Sequence, residues 1–121
     1  MPLLVYQIKE GKIRRAKIED YIEIVSAILQ LIPEGRVSSY GSIAKALNVN
    51  PKLIGKIMKL NKHPIVYPCH RIIKSDGKIG GYSGPGGQKF KKMLLEFEGV
   101  KILKNDRVDL ESFIDINDLC R

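Results

Sequence analysis

Pro51 constrains the middle of this chain more than any other residue. It separates two runs of apolar periodicity, YGSIAKALNVN and PKLIGKIMKLN. Inside a helix a proline removes a hydrogen bond and clashes with the preceding turn; at the first helical position its missing N–H costs little. The spacing therefore predicts two helices. The first spans Ser42–Leu47, with Ile43, Ala44 and Leu47 inward, and a tight turn at Asn48–Asn50 follows. The second, opened by Pro51, has Leu53, Ile54, Ile57 and Met58 on one side and Lys52, Lys56 and Lys59 on the other. Two short helices joined by so tight a turn form a helix-turn-helix. Gly55 lies within the second helix, where glycine costs roughly 1 kcal/mol against alanine, so its presence suggests close approach by something bulky. Lysines on the open side suit the phosphates of a nucleic acid; a solvated face is the plainer alternative.

The flanking segments complete a small domain. Residues 3–18 read as two extended runs around Glu10-Gly11, a hairpin. Asp20–Leu31 reads as a helix with Tyr21, Ile24, Val25, Ile28 and Leu29 on one face, Asp20 and Glu23 at capping-box spacing, and Pro33 and Gly35 as its stop. Residues 65–73 carry β-branched pairs at both ends, Ile65-Val66 and Ile72-Ile73, and predict a strand in or beside which Cys69 and His70 sit. SDGK at 75–78 is an Asp-Gly hairpin turn, and the glycine-rich IGGYSGPGG follows. A helix over 88–98 is expected with Phe90, Met93, Leu94 and Phe97 inward and Gly99 as its stop, then a short helix over Asp109–Ile114. The predicted class is mainly α with small β: a winged helix-turn-helix DNA-binding domain over 20–105. A short N-terminal hairpin extension covers 1–19 and an acidic tail 106–121.

Charge narrows the partner. The net charge is +8, and residues 36–92 hold twelve Lys or Arg against one acid, Asp76. From Asp106 onward there are five acids and two basic residues. So basic a segment favours an anionic partner, most often nucleic acid, against the alternative of a lysine-rich thermostable surface. No apolar run is long enough to cross a bilayer, and the N-terminal run is too short for a signal peptide, so a cytoplasmic protein is expected; it is expected as a monomer. Cys69 and Cys120 read as free thiols, Cys120 with no role at the chain end.

Cys69 admits three readings. The only Cys and His residues are His63, Cys69, His70 and Cys120, without a C-x-x-C pair, which argues against a metal site; no metal and no cofactor are expected. A buried strand cysteine is the bland reading, since free cysteine is among the most buried residue types. A nucleophile needs a base or a positive field, which His70 and Arg71 supply. Neighbours on a regular strand point to opposite faces, so that reading also needs a bridging water or an irregular backbone after Pro68. Glu96 and Glu98 are the nearest candidates to orient the imidazole.

PCHRII, then GKIGGYSGPGGQKFKKMLLEFEG, resembles the O6-alkylguanine-DNA alkyltransferases, also called methylated-DNA–protein-cysteine methyltransferases. The likeness runs from about Ile32 to Gly99 and includes IPEGRVSSYGSIAKAL and IGKIMKLN. PCHR alone is short; PCHR with YSG, a following EG and an upstream helix-turn-helix is specific. The resemblance implies double-stranded DNA containing alkylated bases as the partner, a flipped-out O6-alkylguanine or O4-alkylthymine, and a single irreversible transfer to Cys69. It implies that His70 acts as base through a water, Glu98 orients His70, Asn61 braces the active-site turn and Tyr40 donates to guanine N3. The Ser83 N–H would reach O6, and the carbonyls of Cys69 and Ile72 would read the exocyclic amine. Met58, Pro64 and Tyr82 would wall the pocket. Lys52, Gly55, Lys56, Lys59 and Arg71 would meet DNA, with the second helix in the minor groove.

Two departures stand out. Lys52 occupies the position where the family usually carries an arginine that enters the base stack, and lysine lacks the flat guanidinium. Most members also carry an N-terminal domain where only about 20 residues precede the first helix here, so zinc bound by such domains is not expected. The alternatives are a non-catalytic lesion binder, which commonly has tryptophan in place of the cysteine; a plain winged-helix regulator; and, more remotely, a cysteine protease.

Overall fold

The computed structural model describes residues 4–7, 12–61, 67–82, 84 and 86–119. Strands β1 (Leu4–Gln7) and β2 (Lys12–Arg15) pair antiparallel, with Leu4 opposite Arg15. The expected turn at Glu10-Gly11 lies outside the described residues.

Helix α1 (Ile18–Leu31) starts two residues before its expected position. Asp20 is its third residue rather than its cap, and its carboxylate accepts the Lys17 N–H at 2.8 Å. Strand β3 (Ser38–Ser39) leads directly into helix α2 (Tyr40–Leu47), whose first N–H groups need a partner; the Ser39 hydroxyl accepts one from Ser42 at 3.0 Å. Asn48 closes α2 in the left-handed region at φ 56. Asn50 caps helix α3 (Pro51–Lys59) by accepting the Lys52 N–H at 2.9 Å, with Pro51 at its start. The stripe faces as expected: Ile54, Ile57 and Met58 are buried, and Lys52, Lys56 and Lys59 are exposed.

The strand expected over 65–73 is not formed at the cysteine. Cys69–Arg71 make one 3-10 turn, and strand β4 is only Ile72–Ile73. Strand β4 runs parallel to β3, with Ser38 opposite Ile72 and Ser39 opposite Ile73. Successive strand residues point to opposite faces. Ile72 accordingly joins a core with Val25, Ile28, Ile43, Ile54 and Ile57, while Ile73 joins a second core with Val37, Ile79, Leu95, Val100 and Val108. Each such side chain contributes roughly 1.5–3 kcal/mol by leaving water.

The Asp-Gly turn is present: the Gly77 N–H donates to Lys74 O and the Lys74 N–H to Lys78 O, both at 2.9 Å. The chain then turns to the C-terminal segment. Lys78 bridges Arg107, the first residue of strand β6 (Arg107–Val108), which pairs antiparallel with strand β5 (Ile102–Leu103).

Helix α4 (Gly87–Phe97) departs from the expected phase. Lys91 and Leu95 are fully buried, whereas Met93 is 62% and Phe97 85% exposed. Apolar spacing put Met93 and Phe97 inward. The phase is instead held by Lys91, which finds carbonyl partners inside, and by Leu95 in the second core.

The C-terminal segment packs on the domain. Val108 and Ile116 are buried, the Val37 N–H donates to Ser112 O and the Ile114 N–H donates to Val37 O, both at 2.8 Å. Instead of the helix expected over Asp109–Ile114, there is a 3-10 turn at Leu110–Ser112, and helix α5 spans Ile116–Leu119. Cys120 lies outside the described residues. No helix among the described residues is long and apolar enough to cross a membrane.

Candidate active site and nucleic-acid face

Pro68 brings the chain into the tight turn that presents Cys69. A 3-10 turn has about three residues per revolution, so neighbouring side chains diverge by roughly 120° rather than the opposed directions of a strand. The irregular backbone considered after Pro68 is therefore present. The turn is braced twice at Tyr67, whose carbonyl accepts from Asn61 Nδ2 at 2.8 Å and from the Cys69 N–H at 2.7 Å. Asn61 also hydrogen-bonds the Cys69 side chain.

Cys69 is 6% exposed and His70 1%. Burial pushes the thiol up, and the Asn61 hydrogen bond and the nearby Lys91 charge recover only part of that shift. The resting group is a thiol at neutral pH. Burial pushes His70 down, against the pull of Glu98 in the other direction, so its imidazole is neutral. His70 Nε2 lies 3.0 Å from Glu98 Oε1. Burial alone would raise Glu98, but hydrogen bonds from Arg71 and His70 hold it below the usual carboxylate range. An ionised Glu98 accepts, so Nε2 carries the proton and Nδ1 is left as the acceptor. Nδ1 is buried and makes no hydrogen bond to described protein atoms.

Arg71 was expected to face DNA. All three of its nitrogens point inward instead: Nε to Glu98 Oε1 at 3.0 Å, Nη2 to Glu98 Oε2 at 2.6 Å and Nη1 to the Ile32 carbonyl at 2.7 Å. A bidentate fork with a carboxylate outcompetes an exposed phosphate contact.

Lys91 was missed from the sequence. It is fully buried, with Nζ 2.6 Å from Ile72 O and 3.1 Å from Gly81 O. Burial pushes it down to about 8, while the Cys69 side chain pulls the other way. It ties β4, directly after the cysteine turn, to the glycine-rich loop. The one sequence signal was its spacing on α4, four residues before Leu95 and seven before Glu98. The Ile72 carbonyl, expected to read a base, is thus already engaged, and the Cys69 carbonyl accepts the Ile72 N–H. Each keeps a second lone pair.

Above Cys69 opens a cavity of about 550 Å³ lined by Tyr40, Gly55, Met58, Lys59, Gly81 and Tyr82. Helices α2 and α3 and the loop before α4 all contribute to its lining. Tyr82 packs its ring 6.1 Å from that of Phe90. Pro64 and Ser83 lie outside the described residues. Lys52 and Lys56 are exposed on the same helix as Gly55, and Lys59 lines the cavity itself. Among the described residues no group of three or more His, Cys, Asp or Glu could hold a metal ion.

A family profile described as 6-O-methylguanine DNA methyltransferase, DNA binding domain, matches residues 20–100. The chain belongs to the 6-O-methylguanine DNA methyltransferase family. The matched stretch contains all of the cavity, from Tyr40 to Tyr82, together with Lys91 and Glu98. A methylated-DNA–protein-cysteine methyltransferase of Thermococcus sibiricus is 37% identical over 111 residues, covering 84% of this chain and 62% of that protein. One from Thermococcus kodakarensis is 53% identical over 70 residues, 58% of this chain and 38% of that protein. The chain therefore spans less than two thirds of these family members. Among solved structures, the O6-methylguanine-DNA methyltransferase of Pyrococcus kodakaraensis aligns with TM-score 0.59 at 46% identity, over 66% of this chain and 46% of that one. The S. pombe protein Atl1, in complex with damaged DNA containing O6-carboxymethylguanine, aligns with TM-score 0.70 at 30% identity, over 82% of this chain and 98% of that one. The winged helix-turn-helix expectation agrees with the fold of these family structures.

Proposed function

We propose that this chain repairs DNA by direct reversal, moving the alkyl group of an O6-alkylguanine from the base to Cys69. The observation that carries the reading is the stack beneath the cavity: a cysteine at its floor, followed in the chain by a neutral histidine whose far nitrogen is held by an ionised glutamate.

The base must leave the duplex to reach the buried sulfur. Lys56 and Lys59 hold phosphates while Gly55 lets α3 approach the minor groove, and Lys52 supports the gap left in the stack. Met58 and Tyr82 flank the entering base. Asn61 keeps the turn in place; the Ser83 N–H meets O6, and the remaining lone pairs of the Cys69 and Ile72 carbonyls meet the exocyclic amine. The thiol releases its proton toward His70 Nδ1 through a water, and Glu98 stabilises the imidazolium that forms. The sulfur–carbon bond forms as the carbon–O6 bond breaks, and the bonding pair leaves on guanine. Tyr40 donates to N3 as that charge develops, and a proton then returns to the base, so charge balances. To pass the alkyl group on, the neutral thioether would have to expel the Cys69 thiolate, and nothing in the site activates it to do so, so each molecule reacts once. No cofactor enters the sequence.

A second reading is a lesion binder without transfer, favoured by the likeness to Atl1 across nearly all of that protein. Cys69 at the cavity floor distinguishes the two.

The test is the intact mass of the protein after mixing with an equimolar duplex bearing one O6-methylguanine. A gain of one methyl group on the peptide containing Cys69 is expected. Tight, lesion-selective binding with no mass gain would establish the binder instead.

A further inference from the structure

Tyr40 opens helix α2 and lines the cavity at Cys69. A phenol there is useful only where it is held, because a hydrogen bond weakens steeply once it leaves its line. Strand β3, the two residues before Tyr40, pairs with Ile72–Ile73, directly after the cysteine turn. The rest of the hold comes from residues 112–116, beyond the stretch 20–100 that the family profile matches. Val37 bridges Phe113 in parallel, giving its N–H to Ser112 O and accepting the Ile114 N–H, both at 2.8 Å. Arg36 donates Nε to the same Ser112 carbonyl at 3.2 Å and Nη2 to Phe113 O at 3.1 Å. Two residues past Tyr40, the Ser42 hydroxyl accepts the Ile116 N–H at 2.9 Å and donates to Asp115 Oδ1 at 3.4 Å.

A segment that only covered apolar surface would need its buried side chains, Val108 and Ile116, and no more. Here Arg36 and Ser42 also grip its backbone, from before and after Tyr40 in the chain. We propose that residues 112–116 are a clamp that aims the Tyr40 hydroxyl at the departing base, with Arg36 and Ser42 as positioning residues. This rests on the alkyl-transfer reading, in which Tyr40 donates to guanine N3; the bonds made and broken are those already given. Charge grows on the base only as the carbon–O6 bond breaks, so a misaimed donor slows transfer and leaves binding of the lesion unchanged.

The test follows single-turnover transfer from an O6-methylguanine duplex by intact mass at saturating protein. Affinity for the same duplex is read by fluorescence anisotropy in a Cys69→Ala background. Arg36→Met and Ser42→Ala are each made alone and with Tyr40→Phe. Each alone is expected to slow transfer about tenfold, since a shift of about 1 Å at a reacting group can cost about a hundredfold. Affinity should stay within about twofold, and in the Tyr40→Phe background the same substitutions should slow transfer by less than about twofold, because no hydroxyl remains to misaim. The first-order rate does not depend on the folded fraction, so a loss of stability does not imitate the effect. Equal fold-losses in both backgrounds, or stability lowered with the rate unchanged, would make the clamp plain support and overturn the proposal. Tyr40→Phe reacting at the wild-type rate also overturns it, while leaving alkyl transfer to Cys69 intact. No transfer by the wild-type chain removes the repair reading itself, and the clamp's role with it.

Discussion

Arg71 and Glu98 are joined by two parallel hydrogen bonds, Nε to Oε1 at 3.0 Å and Nη2 to Oε2 at 2.6 Å, and the same Oε1 receives His70. One carboxylate thus serves a structural fork and the proposed catalytic imidazole together. Removing the fork leaves Glu98, whose side chain is 10% exposed, without its main counter-charge. Arg71→Met is expected to cost about 3 kcal/mol of stability, the size found when one partner of a buried pair is deleted. Chemical denaturation checks this. Arg71→Lys should recover only part of the loss, because an ammonium cannot span both oxygens. Full recovery by lysine would reduce the fork to simple charge.

Cys69→Ala is expected to abolish alkyl transfer while leaving DNA affinity within about twofold, because the exposed lysines of α3 are untouched. Intact mass and a fluorescence-anisotropy titration on the same lesion duplex check the two halves. Residual transfer would take Cys69 out of the acceptor role.

Lys91 gives stability a specific pH dependence. Below about 8 the lysine is protonated in both folded and unfolded chains. Between about 8 and its ordinary value of 10.5 the folded group is neutral and the unfolded group still charged. The unfolded state then binds more protons, so this residue's contribution makes stability rise with pH across that window. The full gain is about 3 kcal/mol at roughly 1.4 kcal/mol per pKa unit. The measurement is unfolding free energy against pH for Cys69→Ala and for Cys69→Ala with Lys91→Met, a background that removes the coupled thiol. The difference between the two should grow from pH 8 to 10. A flat difference would mean the buried lysine carries no displaced pKa.

The α3 lysines should give binding a steep salt dependence. On duplex DNA, each lysine that neutralises a phosphate adds about 0.9 to the steepness of log K against log salt. Lys56→Ala and Lys59→Ala are each expected to make the slope shallower by about that amount. They should weaken lesion and undamaged duplexes alike. A slope unchanged in both variants would place the DNA on another face.

The helix-turn-helix was legible because its signals are local. Asn50 and Pro51 start α3 through their own backbone and side-chain chemistry, and Ile54, Ile57 and Met58 are buried as their spacing requires. The grouping of Cys69, His70, Asn61 and Glu98 was legible through resemblance, and the structure brings those residues together. The strand expected across 65–73 failed because β-branched composition describes a preference for extended backbone, and Pro68 with the Asn61 brace overrides it at the cysteine.

The amino-acid sequence by itself determined where α2 stops and α3 starts, which face of α3 is basic, and that Cys69 stands beside His70; α2 starts at Tyr40, two residues before the expected Ser42, because Ser39 rather than a later residue caps it. Tertiary structure alone decided that Lys91 turns inward while Met93 and Phe97 face water, and that Arg71 forks onto Glu98. It also decided that the C-terminal segment supplies Ile116 to the first core and Val108 to the second. The division has one physical cause. Caps and apolar periodicity act over three or four residues, whereas burial of a charge is settled by partners far along the chain. For Lys91 those partners are Ile72 O and Gly81 O, and for Arg71 they are Ile32 O and Glu98.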